Sequence, residues 1–164
     1  MIKGLLFDFD GLILDTENPV FQSWREIYAE HGVLLSFSSW KTAIGTSNGF
    51  DPYKHLQEQL GYKVNRKLLR KRHRDRSNGL INDQSILPGI EEYIRDAKRL
   101  NLTLGVASSS SEDWVLGHLQ RLGISKAFDS VKCSDHVTHT KPNPEVYHIL
   151  LDSLGLQPGE ALAF

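Results

Sequence analysis

Apolar residues gather in four short runs that read as strands. Ile2 to Phe9 is almost continuously hydrophobic, the mark of a parallel strand covered on both faces. "LTLGVAS", Leu102 to Ser108, is a second run, "FDSVKCS", Phe128 to Ser134, a shorter third, and "ALAF", Ala161 to Phe164, the start of a fourth. Between them the spacing turns helical. Ile90, Tyr93, Ile94, Ala97 and Leu100 recur on one face, as do Val115, Leu119 and Leu122 ahead of Gly123, and Tyr147, Leu150, Leu151 and Leu154 ahead of Gly155. Asn143, Pro144 and Glu145 predict the start of the last helix, with Pro144 at its first position, where a missing amide is no loss. Alternating strand and helix predict an α/β fold with a doubly wound, Rossmann-like parallel sheet.

Residues 17–83 break that alternation and show helical patterns instead: Phe21, Trp24, Ile27 and Tyr28 up to Gly32, a short segment from Trp40 to Ile44, Tyr53, Leu56 and Leu60 between Asp51-Pro52 and Gly61, and Asn65 to about Asn78. Asn18 is expected to cap a helix starting at Pro19. The pattern predicts a core of residues 1–16 and 84–164 interrupted by an all-helical domain, 17–83, with "ILPGI", Ile86 to Ile90, returning the chain to the core.

Composition narrows the function classes. A formal net charge of −1 supplies no global field for nucleic acid or an anionic membrane, so an anion must be met locally. The densest basic run, "RKLLRKRHRDR" from Arg66 to Arg76, has seven Lys or Arg in eleven residues but no interleaved aromatics, and reads as a solvated helix face. One cysteine, Cys133, excludes an internal disulfide framework. No apolar stretch of about 18 residues occurs, and the N-terminus meets acid too early for a signal peptide, so the expected setting is cytoplasmic.

Against this background Asp8 and Asp10 stand out, two carboxylates at the end of a hydrophobic strand. An unpaired buried charge costs several kcal/mol or neutralises. Ligands of open parallel sheets, however, bind beyond the carboxyl ends of the strands. There the chain places Asp8, Asp10 and Gly11 after the first strand, Ser108 to Ser111 after the second, and "THTKPNPE" with Lys141 after the third. Carboxylates, hydroxyls at a helix start and one ammonium together predict a phosphate site. Asp8 has the chemistry of a nucleophile that forms an aspartyl phosphate. Repulsion between it and a phosphate dianion, about 4 kcal/mol per charge pair at 4 Å, is to be offset by Lys141 and by Mg²⁺ held on Asp8. Asp10 is suited to protonate the leaving oxygen and later deprotonate water. Ser108 and amides near Ser109 would hold phosphoryl oxygens.

Simpler roles exist for each piece. The serines also fit an N-terminal capping pattern, Ser110 with Asp113 or Ser109 with Glu112, and "KPNP" also serves as a stiff connection. Cys133, His136 and His139 have zinc-like spacing without a fourth ligand, and a loop leading to Lys141 accounts for them. "IGTSNGF", Ile44 to Phe50, reads either as a substrate-facing loop of the helical domain or as a plain turn.

"FDFDGLILDT", "VASSS" and "KPNPE", in this order, resemble the first three motifs of the haloacid dehalogenase-like superfamily, and the helical insertion resembles its type-one cap. The resemblance implies Asp8 as nucleophile and metal ligand, Asp10 as acid/base that also offers its main-chain carbonyl to Mg²⁺, Ser108 as phosphate ligand and Lys141 as charge clamp. Ser109, and Gly11 and Thr16 of the first motif, are expected to touch substrate. The second motif-one aspartate argues for phosphoryl transfer over dehalogenation. Val20 stands where sugar phosphomutases tend to carry histidine, favouring a phosphatase for a small phosphorylated metabolite over a mutase of the beta-phosphoglucomutase type. The third alternative is a non-catalytic domain that binds phosphorylated metabolites or a protein partner. A monomer is expected for the complete protein. Relatives continue into an acidic fourth motif where this sequence ends at Phe164. The expectation is therefore a core incomplete on its C-terminal side, weak Mg²⁺ retention, little Mg²⁺-dependent turnover and an exposed sheet edge near Ala161.

Overall fold

A computed structural model describes residues 1–41 and 50–164, so Ile44 to Gly49 of the glycine-bounded segment lie outside the described residues. The chain divides into two compact units, Met1–Asp15 with Ser85–Phe164, and Thr16–Gln84.

The first unit is an α/β layer structure. Strands β1 (Gly4–Phe7), β2 (Thr103–Ala107), β3 (Ser130–Lys132) and β4 (Ala161–Ala163) make one parallel sheet in the order β3-β2-β1-β4. Leu5 lies opposite Leu104 on one side and Leu162 on the other. All four residues of β1 are buried, which is why that run carries no alternation. Helices α5 (Ile90–Arg99), α6 (Glu112–Arg121) and α7 (Glu145–Leu154) accompany the sheet. Val146, Leu150 and Leu151 of α7 join Leu6, Ala107 and Leu156 in one apolar cluster. Gly105 makes the approach possible, since a Cβ there would lie 2.9 Å from Leu150 Cδ1. Where the insertion leaves and rejoins this unit, Leu14 pairs antiparallel with Ile86.

Three local expectations are corrected. Tyr93 and Leu100 share the helical spacing of α5 but are exposed, the former setting its ring edge against Phe164 at 5.6 Å. Pro144 sits at the cap position of α7 rather than inside it, and Asn143 Oδ1 accepts the Glu145 amide at 3.0 Å. α6 does not use a serine cap: Ser111 occupies the cap position without a side-chain bond, and Asp135 Oδ2 accepts the Glu112 amide at 2.6 Å. A carboxylate from a distant loop thus supplies the negative charge favoured at a helix start.

The second unit is helical, with α1 (Glu17–Glu30), α2 (Phe37–Trp40), α3 (Pro52–Leu60) and α4 (Arg66–Asn82). α1 begins at Glu17, so Asn18 lies within its first turn instead of capping it, and α4 runs a turn beyond Asn78. Trp24, Ile27, Tyr28, Leu35, Trp40, Leu56 and Leu69 form its core. Trp24 meets the Tyr53 ring edge-on at 5.0 Å and stacks on His73 at 4.5 Å. The basic run of α4 is mostly exposed. Arg72 and Arg76 pair with Glu30 at 2.6 and 2.8 Å, and Arg66 with Asp51 at 3.2 Å. Among the described residues no helix is long and apolar enough to cross a membrane.

Burial holds the His73 imidazole below its ordinary pKa, against a smaller opposing effect of the Val20 carbonyl, and His118 in the first unit is lowered by burial and by Arg121. With the folded pKa below the unfolded one, only the unfolded chain gains the proton as pH falls below about 6.5. Stability is thus complete above that pH and lost below it. The expected result is a lower thermal midpoint at pH 5.5 than at pH 7.5, with the difference reduced in His73→Phe, which keeps the stack on Trp24. An equal difference in that variant removes His73 as a cause.

Candidate active site

The carboxyl ends of β1, β2 and β3 bring the functional side chains together within the α/β unit. Asp8 follows β1 directly. Its Oδ1 accepts the Phe9 amide at 2.7 Å and its Oδ2 lies 2.9 Å from Lys141 Nζ. The same ammonium donates to the carbonyl of Ala107, the last residue of β2, at 2.9 Å and stands 5.1 Å over the Tyr147 ring. With the Asp8 and Lys141 side chains 35% and 21% exposed, the pair is only partly open to screening by solvent.

The segment that delivers Lys141 is tied down on both sides. Ser134 donates through its amide and its hydroxyl to the Ser110 carbonyl, each at 3.0 Å. Glu145 gathers the Thr138 and His139 amides at 2.9 and 3.0 Å, bonds that hold its carboxyl below the usual range. A turn closed by the Asn143 amide on the Thr140 carbonyl carries Lys141, whose bond to Pro142 is cis.

Asp10 is held by a separate set of donors. Ser110 Oγ donates to its Oδ2 at 2.6 Å, Ser108 Oγ reaches the same oxygen at 3.4 Å, and Trp114 Nε1 donates to Oδ1 at 3.1 Å. The two aspartates are thus served differently, Asp8 by a cation and Asp10 by neutral donors.

The remaining predicted residues fall as follows. Ser108 is buried, and its hydroxyl also accepts the Ser110 amide at 3.0 Å. Ser109 is exposed. Gly11 adopts φ 76°, the left-handed region that favours glycine, and its amide is spent on the Leu14 carbonyl at 2.8 Å. Thr16 belongs to the helical unit, buried at the cap position of α1. Cys133 is fully buried, and its thiol is pushed up to about 12 by burial and by the Glu112 and Asp135 charges. Its amide donates to His136 Nδ1 at 3.1 Å, while His139 lies 3.4 Å from Glu145. Among the described residues no three His, Cys, Asp or Glu side chains group as a metal cluster.

Sequence reasoning missed Ser110 and Trp114 as partners of Asp10. The indole had one signal: a tryptophan in the first turn of a helix that starts at the functional edge needs an acceptor for its N–H when half-buried.

The family model for haloacid dehalogenase-like hydrolases matches residues 5–164. The chain belongs to that family. Over all of its 164 residues it is 44% identical to YhcW of Bacillus subtilis, provisionally named a phosphatase, and covers 74% of that protein. It is 28% identical over 167 residues to the fructose-1-phosphate phosphatase YqaB of Escherichia coli, with 98% of this chain and 85% of the relative covered. Among solved structures it is similar to a Thermotoga maritima protein provisionally named a beta-phosphoglucomutase, with a TM-score of 0.83 and 26% identity over 99% of this chain and 76% of the other. A Deinococcus radiodurans family hydrolase, crystallised with phosphate and sodium, shares the fold at a TM-score of 0.83 and 21% identity, covering 99% of this chain and 71% of that one. These matches support a phosphatase or phosphomutase activity.

Proposed function

We propose that the protein is a Mg²⁺-dependent phosphomonoesterase that hydrolyses a small phosphorylated metabolite through an aspartyl phosphate on Asp8. The observation that carries this is the 2.9 Å contact between Lys141 and Asp8, a cation from the loop after β3 set against a carboxylate at the end of β1. The phosphatase names of the curated relatives point the same way.

In the first step a carboxylate oxygen of Asp8 bonds to phosphorus while the ester P–O bond breaks, and Asp10 gives a proton to the departing oxygen. In the second, ionised Asp10 takes a proton from water as the water oxygen bonds to phosphorus and the bond to Asp8 breaks. Lys141 offsets the repulsion between Asp8 and the phosphoryl group, and the Ser108 hydroxyl with amides near Ser109 holds the phosphoryl oxygens. The donor set fits a hard cation that takes one or two carboxylates and completes its shell with phosphate and water. Asp8 supplies a carboxylate; the Asp10 carboxylate is taken by its three donors, so that residue would contribute its main-chain carbonyl. When bound, Mg²⁺ supplies charge stabilisation to the phosphoryl oxygens. The lone, buried Cys133 suits a reducing compartment, and we assign the protein to the cytoplasm.

Release of inorganic phosphate from a panel of sugar phosphates, with Mg²⁺ added, tests the assignment. Phosphate, and not an isomer, is the expected product; isomerisation without release shows a mutase. Asp10→Asn is expected to lower kcat/KM for an alkyl phosphomonoester by about 10²- to 10⁴-fold, the usual worth of a positioned acid/base. An unchanged value removes Asp10 from that role.

A further inference from the structure

We infer that Trp114 is a positioning residue that fixes the orientation of the Asp10 carboxyl group. The inference rests on the phosphatase assignment above and adds a residue to it. Asp10 is gripped on both oxygens, Oδ1 by the Trp114 indole at 3.1 Å and Oδ2 by the Ser110 hydroxyl at 2.6 Å. The two donors differ in kind. An indole N–H only donates, whereas a hydroxyl donates or accepts as its hydrogen rotates. The indole is therefore the fixed point of the grip. Held at both oxygens, the carboxyl keeps one orientation, and the longer 3.4 Å contact from Ser108 to Oδ2 is the one that yields to a leaving group.

Trp114 is itself held in place. Its ring meets His118 at 4.3 Å and 74°, and His118 in turn stacks near Phe9, the residue between the two aspartates, at 6.1 Å. Arg121 Nε donates to His118 Nδ1 at 3.2 Å, so that ring nitrogen serves as the acceptor. Burial also lowers the pKa of His118. The indole thus rests on a buried support, with the Asp10 carboxyl as its hydrogen-bond acceptor.

Trp114→Phe keeps an aromatic ring against His118 and removes only the donor. For an alkyl phosphomonoester, whose leaving oxygen needs a proton, kcat/KM is expected to fall about 10- to 100-fold, a share of what a whole acid/base contributes. For p-nitrophenyl phosphate, whose leaving group departs as a stable anion, the fall is expected to be at least about tenfold smaller. Equal falls on both esters, as a general packing defect produces, or no fall on either, overturn the proposal. A second measurement needs no turnover. In a ¹H–¹⁵N spectrum the Trp114 indole signal, identified by its loss in Trp114→Phe, is expected to move upfield in Asp10→Ala as the bond to the carboxylate disappears. A signal that stays in place shows that the grip does not exist. An indole signal that moves in Asp10→Ala, beside a wild-type chain that releases no phosphate from either ester, instead sinks the phosphatase assignment, and the catalytic meaning of Trp114 with it.

Discussion

Asp8→Asn is expected to reduce phosphate release from an aryl phosphate by about 10⁴-fold or more, the scale on which enzymes lose rate when a covalent nucleophile is removed. The carboxamide retains an oxygen that can accept the Phe9 amide, so the end of β1 keeps its local geometry. What it loses is the negative oxygen that, in the proposed mechanism, bonds to phosphorus. Lys141 then keeps the Ala107 carbonyl and the Tyr147 ring as partners but has no counter-charge. The repulsion between position 8 and a phosphate dianion, about 4 kcal/mol per charge pair at 4 Å near a surface, also vanishes. The variant is therefore expected to bind inorganic phosphate more tightly than wild type while turning nothing over. Calorimetric titration with phosphate beside the release assay measures both, and undiminished turnover in Asp8→Asn refutes the nucleophile assignment.

Lys141→Met is the second large effect, with kcat/KM falling by about 10²- to 10³-fold, the range seen when one preorganised group stabilising transition-state charge is lost. The methionine retains most of the stem that lies against Tyr147 but carries no charge, leaving Asp8 uncompensated as the phosphoryl group approaches. Lys141→Arg is expected to recover only part of the loss. Nζ meets the Ala107 carbonyl and Asp8 Oδ2 from a single atom at 2.9 Å each, a convergence that the flat fork of a guanidinium does not reproduce. Steady-state kinetics on all three proteins, with circular dichroism to confirm folding, checks this. Wild-type kinetics in Lys141→Met would end its role as the charge clamp.

Particular elements show where sequence reading succeeds and where it stops. β1 was legible because burial on both faces leaves an uninterrupted apolar run, and Asp8 and Asp10 were conspicuous because carboxylates are costly in such a run. Lys141 could be placed at the same edge since the rule about strand ends needs only the order of elements. Ser110 is the contrary case. Its position before α6 suggested a cap, but a hydroxyl has several possible acceptors and the spatially near one is Asp10, far away in sequence. The cap of α6 went to Asp135 for the same reason. Tyr93 keeps the helical period of α5 yet lies outside the core, because periodicity names a face and not the width of the stripe that the sheet covers.

By itself the sequence determined the succession of strands and amphipathic helices, the helical character of the described residues of the insertion, and which charged and hydroxyl side chains stand at the strand ends. Those follow from local backbone periodicity and from the cost of burying charge, both of which act over a few neighbouring residues. Only the tertiary structure decided the order β3-β2-β1-β4, the partition of donors between the two aspartates, and the joining of Lys141 to Asp8 and to the end of β2. Hydrogen bonds and ion pairs are settled by distances of about 3 Å between groups remote in the chain, and such distances exist only once the elements have packed.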